Sequence, residues 1–143
     1  MKKIVTCEEM KKLDNATIHK IGVASEVLME RAALKVVEET EKYLGKSEKI
    51  LVVCGSGNNG GDGIAIARLF HLKGVRAEFY MAGNKEKMTR ETLLQYKIAT
   101  SYQVPEVNNP AWDEYTTIVD AVFGVGLARP IGGHYAEIIR EMN

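Results

Sequence analysis

The spacing of apolar and polar residues changes several times along the chain, and each change marks an element. Thr6 followed three residues later by Glu9 is a capping box, predicting a helix of roughly 15 residues through Lys20 with Met10, Leu13 and Ile18 facing inward and Gly22 closing it. A second start signal at Ser25 opens a long helix in which Leu28, Met29, Ala32, Ala33, Val36, Val37 and Leu44 recur at helical spacing, with Gly45 as its stop. The charged residues Glu38, Glu39, Glu41 and Lys42 toward its end read as a solvated face. The period then changes: Lys49 to Cys54 is a short continuous apolar run, as expected of a strand buried on both faces of a parallel sheet.

After a glycine-rich segment, Ile64, Ala65, Ala67, Arg68, Leu69 and Phe70 form a helical pattern ending at Gly74, and Val75 to Met81 is a second strand pattern, completing a βαβ unit. A helix from about Lys87 to Thr100, with Leu93, Leu94 and Ile98 inward, precedes a short strand expected at Tyr102 to Val104. Thr116 to Val122 is the next strong strand, running into the turn Phe123 to Leu127, and a last helix starts near Gly133. Strands alternating with helices imply a doubly wound α/β architecture, a Rossmann-like three-layer αβα sandwich with a mostly parallel sheet.

Gly55-Ser56-Gly57-Asn58-Asn59-Gly60 matches GxGxxG between a strand and a helix, the context of a nucleotide-binding turn. Glycines there allow positive φ and close approach of a ligand, and the helix N-terminus offers unpaired N–H groups to anions. Two details depart from a dinucleotide fingerprint: Asp62 adds negative charge, and Glu78 lies mid-strand, so no acid stands at the end of the second strand. No Gly-Lys-Ser or Gly-Lys-Thr follows, so the turn is not a Walker A loop. Asn58, Asn59 and Asp62 crowd amide and carboxylate groups into a turn that small residues could fill. The competing structural reading has Asp62 capping the following helix and the asparagines in left-handed positions. Ligands of open parallel sheets bind at the carboxyl ends of strands, where both glycine turns fall. Asp120 ends its strand beside the second turn, near Asn59 if the two strands are neighbours, and could coordinate a cation, move a proton, or accept loop N–H bonds.

At 143 residues and 45% apolar content the chain is sized for one domain with a real core. Nineteen Lys plus Arg against 19 Asp plus Glu gives zero net charge, which disfavours nucleic acid as partner. Cys7 and Cys54 stand far apart and form no CxxC, so reduced thiols and a cytoplasmic location are expected. The N-terminus begins with Lys2 and Lys3 but acquires Glu8, Glu9 and Asp14 before any stretch apolar enough for a signal peptide or membrane span. His19, His71 and His134 lie on or near helix patterns and read as surface or packing residues.

Three stretches, MKKLDNATIHKIGVASEVLMERAA, CGSGNNGGDGIAIARLF and VDAVFGVGLARPIGG, resemble in that order the YjeF N-terminal domain family, the NAD(P)HX epimerases, from about Met10 onward. NNGGDG followed by DAVFGVGL is far more specific than GxGxxG; Ser56 stands where the family often has proline. The resemblance implies repair of hydrated NADH and NADPH by interconversion of their R and S forms, so that an ADP- or ATP-dependent dehydratase, separate or fused, can restore the S form. It implies that Asn58, Asn59, Gly60, Gly61 and Asp62 contact the hydrated cofactor, and that Gly124, Val125, Gly126, Leu127, Ala128, Arg129 and Pro130 contact its phosphates. It further implies that Asn59 and Asp120 bind a potassium ion (K+); a homodimer is expected because pairing with a second copy would cover the open edge of the sheet. Asp120 is expected to act as acid and base in a dry cleft, because epimerisation at a carbon bearing a hydroxyl requires that hydroxyl to leave and return.

The family's domain continues with a further strand and a VDIPSG-like segment, which this sequence does not contain. The chain is therefore expected to hold roughly the N-terminal two thirds of the domain, with its sheet incomplete at the C-terminus and its activity reduced or lost. Two other functions compete. Relatives of the fold bind apolipoprotein or serve as scaffolds in messenger-RNA decapping, so a non-catalytic nucleotide- or protein-binding module is the alternative. An ordinary NAD-dependent dehydrogenase is disfavoured by the missing strand-end acid.

Overall fold

The apolar run forms strand β1 (Lys49–Cys54), and residues 50–54 of it are fully buried because both faces are covered. Ile50, Val52 and Cys54 face one hydrophobic cluster; Leu51 and Val53 face another. Strands β2 (Arg76–Met81) and β4 (Thr117–Ala121) flank β1, and the two-residue β3 (Glu106–Val107) extends the sheet beyond β2. All pairings are parallel, in the order β3-β2-β1-β4. Helices α2 (Ser25–Glu41), α3 (Asn58–Leu72) and α4 (Arg90–Ser101) supply Ala33, Val37, Ile64, Phe70 and Ala99 to the first cluster. Helix α5 (Gly133–Met142) supplies Ile138 to the second. The result is the three-layer αβα sandwich expected from the alternation, in a computed structural model that describes residues 4–143. Lys2 and Lys3, the basic start of the chain, lie outside the described residues.

The N-terminal capping box is present: Glu9 N–H donates to Thr6 Oγ1 (3.2 Å) and Thr6 N–H donates to Glu9 Oε2 (2.7 Å), opening α1 (Cys7–Ala16). A π-helical turn, Thr17–Ile21, continues it to Gly22, whose φ of 90° ends the helix as predicted. Met10 (46% exposed) and Leu13 (53%) do not face inward, since α1 lies at the periphery and buries no residue. Ala24, not Ser25, caps α2; the Ser25 hydroxyl instead donates to Glu91 on α4 (2.9 Å). The buried stripe of α2 is Met29, Ala33 and Val37, while Ala32 and Val36 are exposed and Leu28 is half-buried. The helix stops at Glu41, before the expected Gly45.

In α4 the inward face is Thr92, Gln95 and Ala99, and Leu93 points outward. Thr92 can be buried here because its hydroxyl finds partners inside, as described below, whereas the buried Gln95 Oε1 has no partner among the described residues. The strand expected at Tyr102 to Val104 does not form. Those residues close α4 instead: Gln103 takes a positive φ of 57°, and Val104 N–H donates to Ala99 (3.0 Å). Pairing begins only after Pro105, whose carbonyl accepts from Phe79 N–H (3.0 Å).

One buried charge ties α2 to α3. The Arg68 guanidinium, with only 8% of its side chain exposed, pairs with Glu30. Glu30→Ala should cost about 3 kcal/mol in urea denaturation by leaving that cation buried without a partner, whereas Glu30→Met with Arg68→Met should recover most of the loss.

Candidate functional site

The chain passes from β1 to β2 and β3 on one side, then crosses back to place β4 on the other side of β1. The carboxyl ends of β1 and β4 are therefore the topological switch point, where open α/β sheets form ligand crevices. Both glycine turns emerge there: Cys54 pairs with Ala121, so Gly55 and Val122 leave the sheet side by side. The condition set from sequence, that the two strands be neighbours, is met.

The first turn is shorter than its composition suggests. α3 begins at Asn58 with Gly57 as N-cap, so Asn58 to Gly63 are helical, and the asparagines are not in left-handed positions. Nor does Asp62 cap the helix; it lies one turn inside it. The glycines of Gly55 to Gly63 all lack positive φ, and most are required by close packing within the protein. A Cβ on Gly55 would lie 2.1 Å from the Val122 carbonyl oxygen, and one on Gly60 would lie 1.8 Å from that of Gly55. A Cβ on Gly63 would lie 2.5 Å from the Ala121 Cβ, which lets α3 sit low on the sheet. Because α3 has no side-chain cap, its first N–H groups remain open to the crevice.

Asn59 joins the turns. Its Nδ2 donates to the Phe123 carbonyl (3.0 Å), and a Cβ on Gly124 would touch the Asn59 Cβ at 3.2 Å. Asn58 is exposed beside it, whereas Gly60 and Gly61 are buried against protein, so they shape the site from beneath. Asp120 is exposed at the end of β4, and its Oδ1 accepts from Val122 N–H (3.0 Å). That is the loop bond of the competing reading, and it leaves Oδ2 free. The carboxylate is not in a dry environment. Gly124, Val125, Gly126, Leu127, Ala128, Arg129 and Pro130 are all exposed along the second turn. Beyond them a cleft of about 230 Å³ lies between Phe123, Arg129, Ile131 and Tyr135.

Asp62 carries the clearest electrostatic signature. Burial, reinforced by the nearby Asp14 of α1, pushes its carboxyl from the ordinary 3.8 up to about 6. A half-buried acid raised in this way is suited to proton transfer near neutral pH. Asp14 was not a candidate from sequence, since α1 reads as a separate amphipathic helix. Thr92, which donates to the Gly57 carbonyl (2.8 Å), was missed because the expected inward face of α4 was apolar. Its signal was the second polar residue at helical spacing, Gln95, one turn on.

Among the described residues no group of three His, Cys, Asp or Glu could hold a metal ion. The oxygens at the carboxyl ends of β1 and β4 are instead those of the Asp120 carboxylate, the Asn59 side chain and the turn carbonyls. An all-oxygen set with one carboxylate suits a hard cation of low charge rather than zinc or copper. Glu78 accepts from the Tyr115 hydroxyl (2.6 Å) in mid-strand, away from any ribose position. A larger cleft of about 560 Å³ opens between Leu44 and Arg76, at the opposite end of the strands. Three of its charged side chains are engaged, Glu41 by Lys73 (3.0 Å), Glu48 by Gly45 N–H (2.8 Å) and Arg76 by the Ser47 carbonyl (3.5 Å), and it holds neither glycine turn. The chemistry therefore belongs to the carboxyl ends.

The chain matches the family model of the YjeF-related protein N-terminus over residues 25–143. It is 48% identical over 141 residues to the NAD(P)H-hydrate epimerase of Oenococcus oeni, covering 97% of this chain and 67% of that protein. It is 50% identical over 143 residues to the NAD(P)H-hydrate epimerase of Limosilactobacillus reuteri, covering 99% of this chain and 68% of that one. The crystal structure of yeast ynu0 has the same fold, with a TM-score of 0.84 at 23% identity, over 99% of this chain and 65% of that one. The chain thus spans about two thirds of the length of these relatives.

Proposed function

The chain belongs to the family of YjeF-related N-terminal domains, and from that premise we propose that it is an NAD(P)H-hydrate epimerase, interconverting the R and S forms of hydrated NADH and NADPH. The observation that carries this reading is the bond from Asn59 Nδ2 to the Phe123 carbonyl, which makes one site of two glycine turns at the switch point. Asn58, Asn59 and the open N–H groups of α3 face the hydrated ring, with Gly60, Gly61 and Asp62 beneath it; Gly124 to Pro130, with the cation of Arg129, follow its phosphates.

Loss and return of the hydroxyl need a proton given and taken back. Asp62 retains a usable protonated fraction near neutral pH and donates it to the departing hydroxyl. Asp120 is the second carboxylate, acting as acid and base, and with Asn59 it would hold a potassium ion. That ion would supply a fixed positive charge that anchors the Asp120 carboxylate and shapes the loop. The S product would pass to an ADP- or ATP-dependent dehydratase, separate or fused, and the protein would act as a homodimer in the cytoplasm. No helix among the described residues is long and apolar enough to cross a membrane.

The test is incubation of the chain with the R hydrate of NADH and chromatography for the S form. Asp120→Asn should lower the rate at least tenfold; full activity in that variant would remove Asp120 from proton transfer. The open, exposed setting of Asp120 favours one other reading, a non-catalytic module that binds the hydrate without turnover. Calorimetric binding with no S form produced would identify it.

A further inference from the structure

α4 reaches the site without contributing to either glycine turn. Thr92 is fully buried on it, at a position where the helix would ordinarily place an apolar residue. Its hydroxyl donates to the Gly57 carbonyl (2.8 Å) and accepts from the Thr89 hydroxyl (2.8 Å). Thr89, the N-cap of α4, also sends its backbone N–H to the Ser56 carbonyl (3.0 Å). Two successive carbonyls of the first turn are thus held by the first turn of α4.

The Thr92 bond is not needed to satisfy Gly57. That carbonyl already accepts from the N–H groups of Gly60 (2.9 Å) and Gly61 (3.3 Å), and a carbonyl has two lone pairs. A third donor adds direction rather than satisfaction. Room for it is built in: a Cβ on Gly61 would lie 2.9 Å from Thr92 Oγ1, so position 61 must be glycine for the hydroxyl to reach past it. α4 is itself anchored, by Arg90 to Glu26 (2.6 Å) and by Ser25 to Glu91 (2.9 Å), both to the start of α2. The N-termini of α2, α3 and α4 form one braced end.

We propose that Thr92 is a positioning residue: its hydroxyl fixes the N-cap of α3 and thereby aims Asn58 and Asn59 into the crevice. The geometry of the brace stands by itself, and its consequence for turnover rests on the epimerase reading. Thr92→Val keeps the shape and removes the hydroxyl; Thr92→Ser keeps the hydroxyl. An aim lost at the reacting atoms lowers kcat more than it raises KM.

Two measurements on the full chain decide it. In amide hydrogen exchange followed by NMR, Thr92→Val should speed exchange at Gly60 and Gly61 at least tenfold, and Thr92→Ser should restore wild-type rates within about threefold. In turnover of the R hydrate of NADH, Thr92→Val should lose at least tenfold in kcat with KM changed less than threefold, again rescued by serine. Val37→Ala, a core variant of α2, is the control for general destabilisation: it should lower Tm and leave both readouts at α3 unchanged. Unchanged exchange in Thr92→Val, failure of serine to rescue, or the same effects in Val37→Ala would overturn the proposal. Wild-type chain that neither turns over nor binds the R hydrate in calorimetry would overturn the epimerase reading, while the exchange measurement would still decide the brace.

Discussion

Gly60→Ala should destabilise the folded state severely, while Gly57→Ala, in the same GxGxxG match, should be nearly silent. A Cβ at position 60 would lie 1.8 Å from the Gly55 carbonyl oxygen, 2.6 Å from its carbon and 3.0 Å from its nitrogen. All three atoms are backbone, so no rotamer relieves the clash. Gly55 cannot retreat either, because it lies against the Val122 backbone. Relief therefore means separating α3 from the end of β1, at a loss above about 4 kcal/mol, a large part of the 5–15 kcal/mol typical of a domain. At position 57 there is no heavy atom within 4 Å of the added Cβ and φ is −79°, so alanine there should cost less than about 1 kcal/mol. Urea denaturation followed by circular dichroism compares the two, and similar midpoints would contradict the packing account of these glycines.

Asp62→Asn should stabilise the protein and disable it. The folded carboxyl is raised to about 6 from an ordinary 3.8, so the folded state holds the proton more tightly than the unfolded chain. The contribution of Asp62 to stability is then most favourable below about pH 4, falls as pH rises through about 4 to 6, and carries the full penalty above that. The raised value corresponds to about 3 kcal/mol, and discounting for the exposed part of the side chain leaves about 1–2 kcal/mol. Asparagine removes the buried charge, so the variant should gain that amount at pH 7.5 and lose the advantage by pH 4. Its epimerisation rate should fall by about 10²- to 10⁴-fold, the usual contribution of a general acid or base. Denaturation at the two pH values and an assay on the R hydrate measure both effects. A variant less stable at pH 7.5, or one of wild-type activity, would show that Asp62 serves structure and not proton transfer. The combination of the two gains and losses is the ordinary trade between stability and function at a site.

Elements whose signals are local were legible in advance. The Thr6–Glu9 box, the unbroken apolar run of β1 and the helix stops at Gly22 and Gly74 depend on neighbours a few residues apart, and each forms where expected. Faces were less legible. α1 has the apolar positions of an inward helix, yet Met10 and Leu13 remain exposed because nothing packs over them. α4 turns Thr92 and Gln95 inward in place of Leu93, and for Thr92 the reason is a partner 35 residues away, the Gly57 carbonyl. The short strand moved past Pro105 because Tyr102 to Val104 were needed to end α4.

Sequence by itself determined the order of elements, the parallel αβα class, the two glycine turns and the amide and carboxylate residues they carry, because periodicity and turn chemistry act over short spans. Only the tertiary structure decided what those residues do to one another. It brought β4 beside β1, so that Asn59 reaches Phe123. It set Asp14 near Asp62, raising a carboxyl that is unremarkable as a letter in the chain. It also turned the glycines of the first turn from ligand-facing residues into points of contact between α3 and the sheet. Close approach and desolvation are properties of pairs distant in sequence, and they exist only once the chain has folded.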